Sequence, residues 1–305
     1  MKDLIQVNNL SKTYGKQRGI HNVTFSIAEG EVFGFLGPNG AGKTTTIRTL
    51  MGFLKPTSGQ ALIGGLDCWS QATQIKRMVG YLPGEFSFDP NMTGAQILSY
   101  LGHLRGGVDQ QYVKQLIERL DFDPAKRFHT YSRGNKQKIG LVQAFMHKPQ
   151  LLILDEPTGG LDPLNQQEFN KMITEVSTAG QTVFLSSHIL PEVEHTCTRV
   201  GIIREGELVR VSEVSTLKDL KQSNILIHFT AEPELAWFNG LPGVINVQRE
   251  QHGHALLITV QGEQQAVIQA AAQHQAISMT THEPGLEEIF LRFYQKETRP
   301  DAIAI

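Results

Sequence analysis

The feature that most constrains the fold of this chain is a glycine-rich octapeptide between an apolar, strand-like stretch and a helix-like stretch. Every fixed position of the pattern G-x-x-x-x-G-K-[ST] is occupied in the segment Gly37-Pro38-Asn39-Gly40-Ala41-Gly42-Lys43-Thr44. Glycines allow successive backbone N–H groups to point at phosphate oxygens, where a Cβ atom would obstruct them. The positive end of the helix that begins at Lys43 adds to this attraction. The octapeptide therefore predicts a phosphate-binding loop at a strand-to-helix turn.

Three residues at the end of the loop have predicted roles of their own. Lys43 is expected to reach the β- and γ-phosphates of a nucleotide, and the Thr44 hydroxyl is expected to ligate Mg²⁺. Thr45, the next residue, is included among the nucleotide contacts. The alternative is a glycine-rich turn that contains Lys-Thr by chance. The strand before the loop and the helix after it argue against this alternative, because the pattern requires both.

A second element consists of an apolar strand that ends in two acidic residues. Leu151-Leu152-Ile153-Leu154 is followed directly by Asp155 and Glu156. Ligands of open α/β sheets bind outside the carboxyl ends of the strands, so both carboxylates are expected at the ligand-binding edge. Asp155 is predicted to hold Mg²⁺ through water, and Glu156 to polarise the attacking water. Alone, this pattern could be no more than the start of a loop; with the phosphate loop it indicates nucleotide hydrolysis.

Apolar strands alternate with helical stretches over the first two thirds of the chain. The strands cover residues 32–36, 151–154 and 182–185, and helices are predicted over residues 43–54 and 163–178. Fully apolar strands that alternate with helices indicate a parallel sheet covered on both faces, hence an α/β fold. Helical patterns also fill residues 86–130 and 132–146, the first with a predicted capping box formed by Thr93 and Gln96.

A polar, lysine-containing stretch at residues 216–223 is expected to separate two domains, 1–216 and 217–305. Beyond it the pattern predicts strands and helices in the order β-α-β-β-α-β with one extra helix. The predicted segments are 224–230, 233–241, 244–248, 255–260, 263–274, 277–281 and 286–294. This order fits a small α+β domain of the ferredoxin-like type.

Composition excludes several classes of protein. Lysine plus arginine is 28 and aspartate plus glutamate is 30, so a net charge of −2 argues against non-specific binding of nucleic acid. No run of about 18 apolar residues is present, so the chain is not expected to span a membrane. The start lacks the apolar stretch of a secretory signal, and a cytosolic location is expected. Cys68 and Cys197 are far apart, which argues against a disulfide framework or a zinc cluster.

With these elements in place, residues 1 to about 215 resemble the ATP-binding subunits of ABC transporters. The family's LSGGQ-type signature has its counterpart in Tyr131-Ser132-Arg133-Gly134-Asn135, continued by Lys136-Gln137-Lys138. The resemblance implies a P-loop cassette: a mixed, mainly parallel sheet core, an antiparallel β subdomain and a helical subdomain at about residues 86–147. It also implies that Ser132 and Gly134 contact the γ-phosphate bound by a second copy. An ordinary helix N-cap is the alternative for Ser132.

Further residues match the family in the expected order. Gly160-Leu161-Asp162 is similar to the D-loop that crosses the dimer interface, and Asp162 is accordingly assigned to the nucleotide site. His188, directly after the strand at residues 182–185 and two serines, resembles the switch histidine that contacts the γ-phosphate. Tyr14 matches the aromatic residue that stacks on adenine, with a core tyrosine as the alternative. The implied catalytic residues are Glu156, His188 and Lys43.

Two departures from the family pattern point to one branch of it. Gly84-Glu85 follows Tyr81-Leu82-Pro83, where the family has its Q-loop glutamine, and Arg133 and Asn135 replace the usual residues of the signature. Both departures, and the tail at residues 284–290, resemble drug, antibiotic and ion exporters that carry a small C-terminal domain. Glu85 is predicted as a third Mg²⁺ ligand beside Thr44 and Asp155. The alternative is that Glu85 faces solvent or the permease.

The resemblance implies an ATP hydrolase that drives a membrane transporter, and an exporter is the preferred interpretation. Two copies would enclose two ATP–Mg²⁺, and a separate transmembrane permease would dock near residues 86–130. The protein would then lie at the inner face of the cell membrane and bind no nucleic acid. Two alternatives stay open: a soluble ABC-type ATPase that acts in DNA repair or on ribosomes, and the ATPase subunit of an importer.

Overall fold

The structure, a computed structural model, describes residues 2–15, 18–219, 222–250 and 254–282. Its contacts divide the chain into two units, Met1–Glu213 and Val214–Ile305, a division three residues before the predicted one. Within the described ranges, no helix has the length and apolar character needed to cross a bilayer.

The larger unit is built on a ten-stranded mixed sheet. Its strands are β1 (Asp3–Tyr14), β2 (Arg18–Ala28), β3 (Val32–Leu36), β4 (Ser58–Ile63), β5 (Leu66–Asp67), β6 (Val79–Leu82), β7 (Leu151–Asp155), β8 (Thr182–Ser187), β9 (Arg199–Arg204) and β10 (Glu207–Glu213). Their order across the sheet is β5-β4-β1-β2-β10-β9-β3-β8-β7-β6. Strands β9, β3, β8, β7 and β6 are mutually parallel, whereas β1, β2, β4 and β5 pair antiparallel. The predicted cassette architecture is confirmed.

The order of the parallel strands places the carboxyl ends of β3, β8 and β7 next to one another. β8 lies between β3 and β7, so that Leu36 pairs with Ser187 and Asp155 pairs with Ser186. All residues of β3, β7 and β8 are buried, as expected for strands covered on both faces. The phosphate loop that follows Leu36 and the acidic pair at the end of β7, Asp155 and Glu156, are therefore separated by one intervening strand.

Seven helices accompany this sheet in the larger unit as described. They are α1 (Lys43–Leu50), α2 (Ala72–Met78), α3 (Gly94–Leu104), α4 (Gln110–Arg119), α5 (Arg133–Phe145), α6 (Pro163–Thr178) and α7 (Leu190–Thr196). A 3₁₀ turn covers Phe128–Thr130. The capping box is confirmed, because Gln96 N donates to Thr93 Oγ1 (3.2 Å) and Thr93 N donates to Gln96 Oε1 (2.8 Å).

Helix α1 is shorter than predicted, ending at Leu50 instead of Leu54. Gly52 adopts a φ of +65°, and Phe53 N donates to Arg48 O (2.9 Å), which closes the last turn. A glycine in the left-handed region ends a helix because it turns the following N–H groups back onto the last carbonyls.

The sheet core is consolidated by phenylalanines that pack across it. The rings of Phe25 and Phe33 are stacked with centroids 5.5 Å apart, and those of Phe33 and Phe184 with centroids 6.0 Å apart. Full burial of such a side chain stabilises the fold by about 1.5–3 kcal/mol. Because Phe33 and Phe184 lie on β3 and β8, this packing holds together two of the strands that end at the site.

The smaller unit contains α8 (Val214–Asp219), β11 (Gln222–Phe229), β12 (Val244–Arg249), β13 (Ala255–Gln261), α9 (Gln265–Gln273) and β14 (Ala276–His282). Its antiparallel sheet has the order β12-β13-β11-β14. The core comprises side chains of the sheet, of α9 and of Phe238. β13 thus separates β11 from β12, as in a split arrangement.

Three details of the smaller unit differ from prediction or lie beyond the description. The helix predicted at residues 233–241 is only a 3₁₀ turn, Leu235–Trp237, since Gly240 turns the chain at a φ of +84° just after it. The stretch predicted as a linker holds α8 and the start of β11 instead. The last predicted helix, 286–294, lies outside the described residues, so the ferredoxin-like assignment stays a prediction.

Candidate active site

The phosphate loop forms the turn between β3 and α1. Gly40 and Gly42 have φ of +82° and +110°, backbone conformations that L side chains rarely adopt. A Cβ atom at Gly37 would lie 2.4 Å from Ile203 O, so this position also requires glycine. Gly42 is the N-cap of α1 and has no side chain to bond the first-turn N–H groups. Those N–H groups are therefore available to an anion.

The remaining loop residues occupy the same turn. Ala41 N donates to Pro38 O (3.2 Å), while Asn39 is exposed at the tip and Thr45 is half-buried in the first turn of α1. The predicted nucleotide contacts at residues 37–45 thus lie together in this turn and in the first turn of α1.

Lys43 is directed into this loop rather than toward solvent. Its side chain is 6% exposed, and Nζ donates to Gly37 O (2.7 Å) and Pro38 O (3.2 Å). Nζ also lies 3.1 Å from Glu156 Oε1. A buried ammonium needs such acceptors because burial of an unpaired charge is costly. The structure therefore brings together Lys43 and Glu156, two residues predicted as catalytic.

Asp155 joins the loop to the carboxyl end of β7. This fully buried carboxylate accepts hydrogen bonds from Thr44 Oγ1 (2.8 Å, on Oδ2) and from Ser186 Oγ (2.6 Å, on Oδ1). A carboxylate and a hydroxyl in direct contact form a donor set of hard oxygens, the type that Mg²⁺ prefers. Thr44 and Asp155 therefore fit the magnesium site predicted for them.

Glu156 directly follows β7 and His188 directly follows β8, and the side chains of these two residues are in contact. His188 Nδ1 lies 2.8 Å from Glu156 Oε2, and Glu156 N donates to Ser186 Oγ (3.1 Å). Glu156 has a φ of +51°, a conformation uncommon for a residue other than glycine and found often at functional sites. Its other carboxylate oxygen, Oε1, is the one that lies 3.1 Å from Lys43 Nζ, so the carboxylate contacts both Lys43 and His188.

Ser186 is a site residue that the sequence reasoning missed. Its hydroxyl donates to Asp155 and accepts from Glu156 N, so it touches both acidic residues. The available signal was the pair Ser186-Ser187 at the carboxyl end of an apolar strand, directly before His188. Without the order of the strands, that signal did not indicate which loop the serines would face.

The segment after β6 brings Gly84, rather than Glu85, against the magnesium residues. A Cβ atom at Gly84 would lie 3.2 Å from Asp155 Oδ2, whereas Glu85 is exposed. Burial and the Asp155 carboxylate raise the pKa of Tyr81 to about 12, which keeps this phenol neutral. A role of Glu85 as a metal ligand stays a prediction.

Tyr14, at the end of β1, is 46% exposed, so its ring is accessible for stacking. The Nζ atom of Lys12 lies 5.5 Å from the centroid of that ring. Adenine stacking by Tyr14 likewise stays a prediction.

The signature residues lie at the start of α5. Ser132 is the N-cap and accepts a hydrogen bond from Asn135 N (3.2 Å). A Cβ atom at Gly134 would lie 2.5 Å from Gly160 O, so the signature packs tightly against the segment that follows Glu156. The exposed N-terminus of α5 can receive an anion from outside the chain.

Asp162 caps the next helix, α6, and accepts hydrogen bonds from Asn165 N (3.0 Å) and Asn165 Nδ2 (2.7 Å). These hydrogen bonds lower the pKa of the Asp162 carboxyl. Within the described part of the chain, the side-chain hydrogen bonds of Ser132 and Asp162 are made to Asn135 and Asn165, away from the phosphate loop.

The profile of the ABC transporter family matches residues 20–159. The chain is 32% identical over 310 residues to the linearmycin resistance ATP-binding protein LnrL of Bacillus subtilis (strain 168), covering 97% of this chain and 100% of that protein. It is 38% identical over 221 residues to the bacitracin transport ATP-binding protein BcrA of Bacillus licheniformis, covering 72% of each. A solved ATP-binding subunit of an ABC transporter aligns with a TM-score of 0.65 at 28% identity, covering 70% of this chain and 92% of that one.

Proposed function

Since the chain belongs to the ATP-binding subunits of ABC transporters, a family of ATP hydrolases, we propose that it powers the export of an antibiotic or drug-like molecule. The observation that carries the hydrolytic part is the meeting of Lys43, Asp155, Glu156 and His188 at the carboxyl ends of adjacent strands. The direction of transport rests on two relatives named for linearmycin resistance and bacitracin transport.

The loop and Lys43 bind the phosphates of ATP. The free N–H groups at the start of α1 point toward the phosphate oxygens, and Lys43 Nζ can exchange its carbonyl acceptors for β- and γ-phosphate oxygens. Thr44 and Asp155 would hold Mg²⁺, which supplies positive charge to the phosphates as the bond to the leaving group breaks. Tyr14 is assigned to the adenine.

Glu156 acts as the general base. Its carboxylate takes a proton from the water whose oxygen attacks the γ-phosphorus, while the bond from the γ-phosphorus to the bridging oxygen breaks and ADP leaves. His188 holds Glu156 through the 2.8 Å contact and orients the carboxylate toward the γ-phosphate. Once Lys43 Nζ has moved to the phosphates, Glu156 Oε1 is the oxygen that would receive the water proton.

A second copy would complete each site. Subunits of this family dimerise and work with membrane-spanning partners. Ser132 and Gly134 lie on an exposed helix N-terminus, which suits an anion presented by another chain, and Asp162 follows the segment against which that turn packs. The protein is accordingly proposed to bind a permease at the cytoplasmic face of the membrane and to bind no nucleic acid.

The hydrolytic role is tested with Glu156→Gln. Loss of the base should lower ATP turnover by roughly 10²–10⁴-fold while ATP still binds. Size-exclusion chromatography with ATP should then show a trapped dimer. Glu118→Gln is the matched control, because Glu118 is exposed on α4 and forms a surface ion pair with Lys114. Near-normal turnover of the Glu156 variant would contradict the assignment.

The direction of transport needs a separate measurement. Inside-out vesicles that contain the chain and its permease should accumulate bacitracin or linearmycin when ATP is added outside. Uptake should vanish with Glu156→Gln. Accumulation only in right-side-out vesicles loaded with ATP would identify an importer instead.

A further inference from the structure

A carboxylate outside the described site connects the two loops that carry Glu156 and His188. Glu192 lies in the first turn of α7. Its Oε1 accepts a hydrogen bond from Thr158 Oγ1 (2.6 Å), and its Oε2 accepts one from Ser187 Oγ (2.7 Å). Both bonds are short, as expected when a hydroxyl donates to an ionised carboxylate.

The two hydroxyls belong to different segments of the site. Thr158 lies two residues after Glu156, in the turn that follows β7, and Ser187 directly precedes His188 at the end of β8. Thr158 and Ser187 are both buried, at 6% and 0% exposure, so little competition from water is expected. A single side chain thus connects both loops, in addition to the 2.8 Å contact of Glu156 with His188.

We propose that Glu192 is a positioning residue for ATP hydrolysis, which holds the loops of Glu156 and His188 in the register that their contact requires. Glu156 has a left-handed backbone conformation, and such a conformation persists only where the surrounding structure holds it. A carboxylate offers two acceptor oxygens, so it can hold both hydroxyls at once. This proposal rests on the roles proposed above for Glu156 and His188.

The alternative is a purely structural role, in which the negative charge of Glu192 is attracted to the N-terminus of α7. That role requires neither Thr158 nor Ser187. Removal of these two hydrogen bonds, one at a time, therefore distinguishes the positioning role from the purely structural role.

The first experiment compares Glu192→Ala with Glu192→Gln in the full-length chain. Glu192→Ala should lower kcat by about 10²-fold, because a displacement of about 1 Å can cost that much. The KM for ATP should change little, because the phosphate loop is untouched. Glu192→Gln should recover part of the loss, since its amide can still bond both hydroxyl oxygens.

The matched control is Glu31→Ala. Glu31 is also half-buried, and it accepts hydrogen bonds from Ala28 N and Arg199 at the amino end of β3, at the sheet edge opposite the site. This variant should lose stability to denaturant while its kcat stays at the wild-type value. If kcat falls in both Glu192→Ala and Glu31→Ala, and only in proportion to the fraction of folded protein, the proposal is overturned.

The second experiment is a double-mutant cycle with Thr158→Val and Ser187→Ala, which avoids leaving a carboxylate-sized cavity. If Glu192 connects the loops, the double variant should lose no more kcat than Glu192→Ala, and each single variant should lose nothing further in the Glu192→Ala background. If the fold-losses of kcat in the single variants multiply in the combined variants, the proposal is overturned, because the effects of independent sites are additive in free energy. If Glu192→Ala does not fold, Thr158→Val and Ser187→Ala are compared alone and together: loss of either hydroxyl already breaks the connection, so the double variant should lose no more kcat than the weaker single variant.

The two proposals fail in different ways. If Glu156→Gln and His188→Ala keep wild-type turnover, the roles proposed for Glu156 and His188 are wrong. If those variants are inactive and Glu192→Ala keeps wild-type kcat, only the positioning role of Glu192 is wrong.

Discussion

Thr44 Oγ1 lies 2.8 Å from Asp155 Oδ2, although the two residues are 111 positions apart in the chain. Thr44 is on the first turn of α1 and Asp155 ends β7, on the far side of β8 from the phosphate loop. Two elements recognised separately as sequence patterns therefore share one hydrogen bond. The magnesium ion proposed for this site would be held at this contact, between Thr44 and Asp155.

Glu85 is predicted as a further magnesium ligand, and its removal tests that role. Loss of a charged oxygen ligand in Glu85→Ala should raise the Mg²⁺ concentration for half-maximal ATPase activity by about tenfold, with ATP binding little changed. Asp89→Ala in the same loop is the control, because Asp89 accepts a hydrogen bond from Asn91 N. An unshifted Mg²⁺ curve combined with lost transport would place Glu85 at the permease contact.

Gly84 should not tolerate a side chain. The Cβ atom of Gly84→Ala would lie 3.2 Å from Asp155 Oδ2 and would crowd the carboxylate. We expect kcat to fall while the protein stays folded, as measured by steady-state ATPase assays and circular dichroism. Wild-type kcat in this variant would show that Asp155 can move away without loss.

Gln137 is expected to support the backbone of Glu156, the proposed general base. Its buried Nε2 donates to Glu156 O (3.1 Å) and Pro157 O (2.9 Å). Gln137→Met keeps the volume and removes both bonds, which should cost about 1–3 kcal/mol of stability and reduce kcat. Gln181 is the matched control, because its Nε2 donates to Pro149 O before the other end of β7. Gln181→Met should lose stability but keep kcat, and equal losses of kcat in both variants would contradict this prediction.

The two units should fold independently. Each has a core of its own, around Phe33 and Phe184 in the larger unit and around Ile225 and Phe238 in the smaller one. A chain that ends at Glu213 should be soluble, elute as a compact species and bind ATP with an affinity close to that of the full chain. Insolubility of the shortened chain would indicate that the units share a core.

His147 should make the stability depend on pH. Burial and the nearby Arg105 lower its pKa to about 4, and these two effects outweigh the opposing contact of the ring with the backbone of Val79. The unfolded chain binds a proton near pH 6.5, before the folded chain does, so the free energy of unfolding should fall as the pH decreases from about 6.5 to 4. Urea midpoints of His147→Gln should fall less over that range. Parallel curves for both proteins would contradict this assignment.

Local patterns were sufficient for several features of this molecule. The phosphate loop, the Thr93 capping box and the buried strand before Asp155 each depend on neighbouring residues, so their structure follows from glycine conformations, side-chain caps and apolar runs. The sequence pattern predicts the end of α1 at Leu54 instead of Leu50, because apolar residues continue past Gly52 as far as Leu54.

The sequence by itself determined which residues are predicted to carry the chemistry, whereas only the tertiary structure decided which of them touch. Apolar strands of similar composition can pair in many orders, and the order β3-β8-β7 results from packing over the whole unit. That order places Ser186 between Asp155 and Glu156 N, and it lets Glu192 reach Thr158 and Ser187 together. Contacts between residues far apart in sequence have no local signal, because their energy appears only once the sheet has assembled.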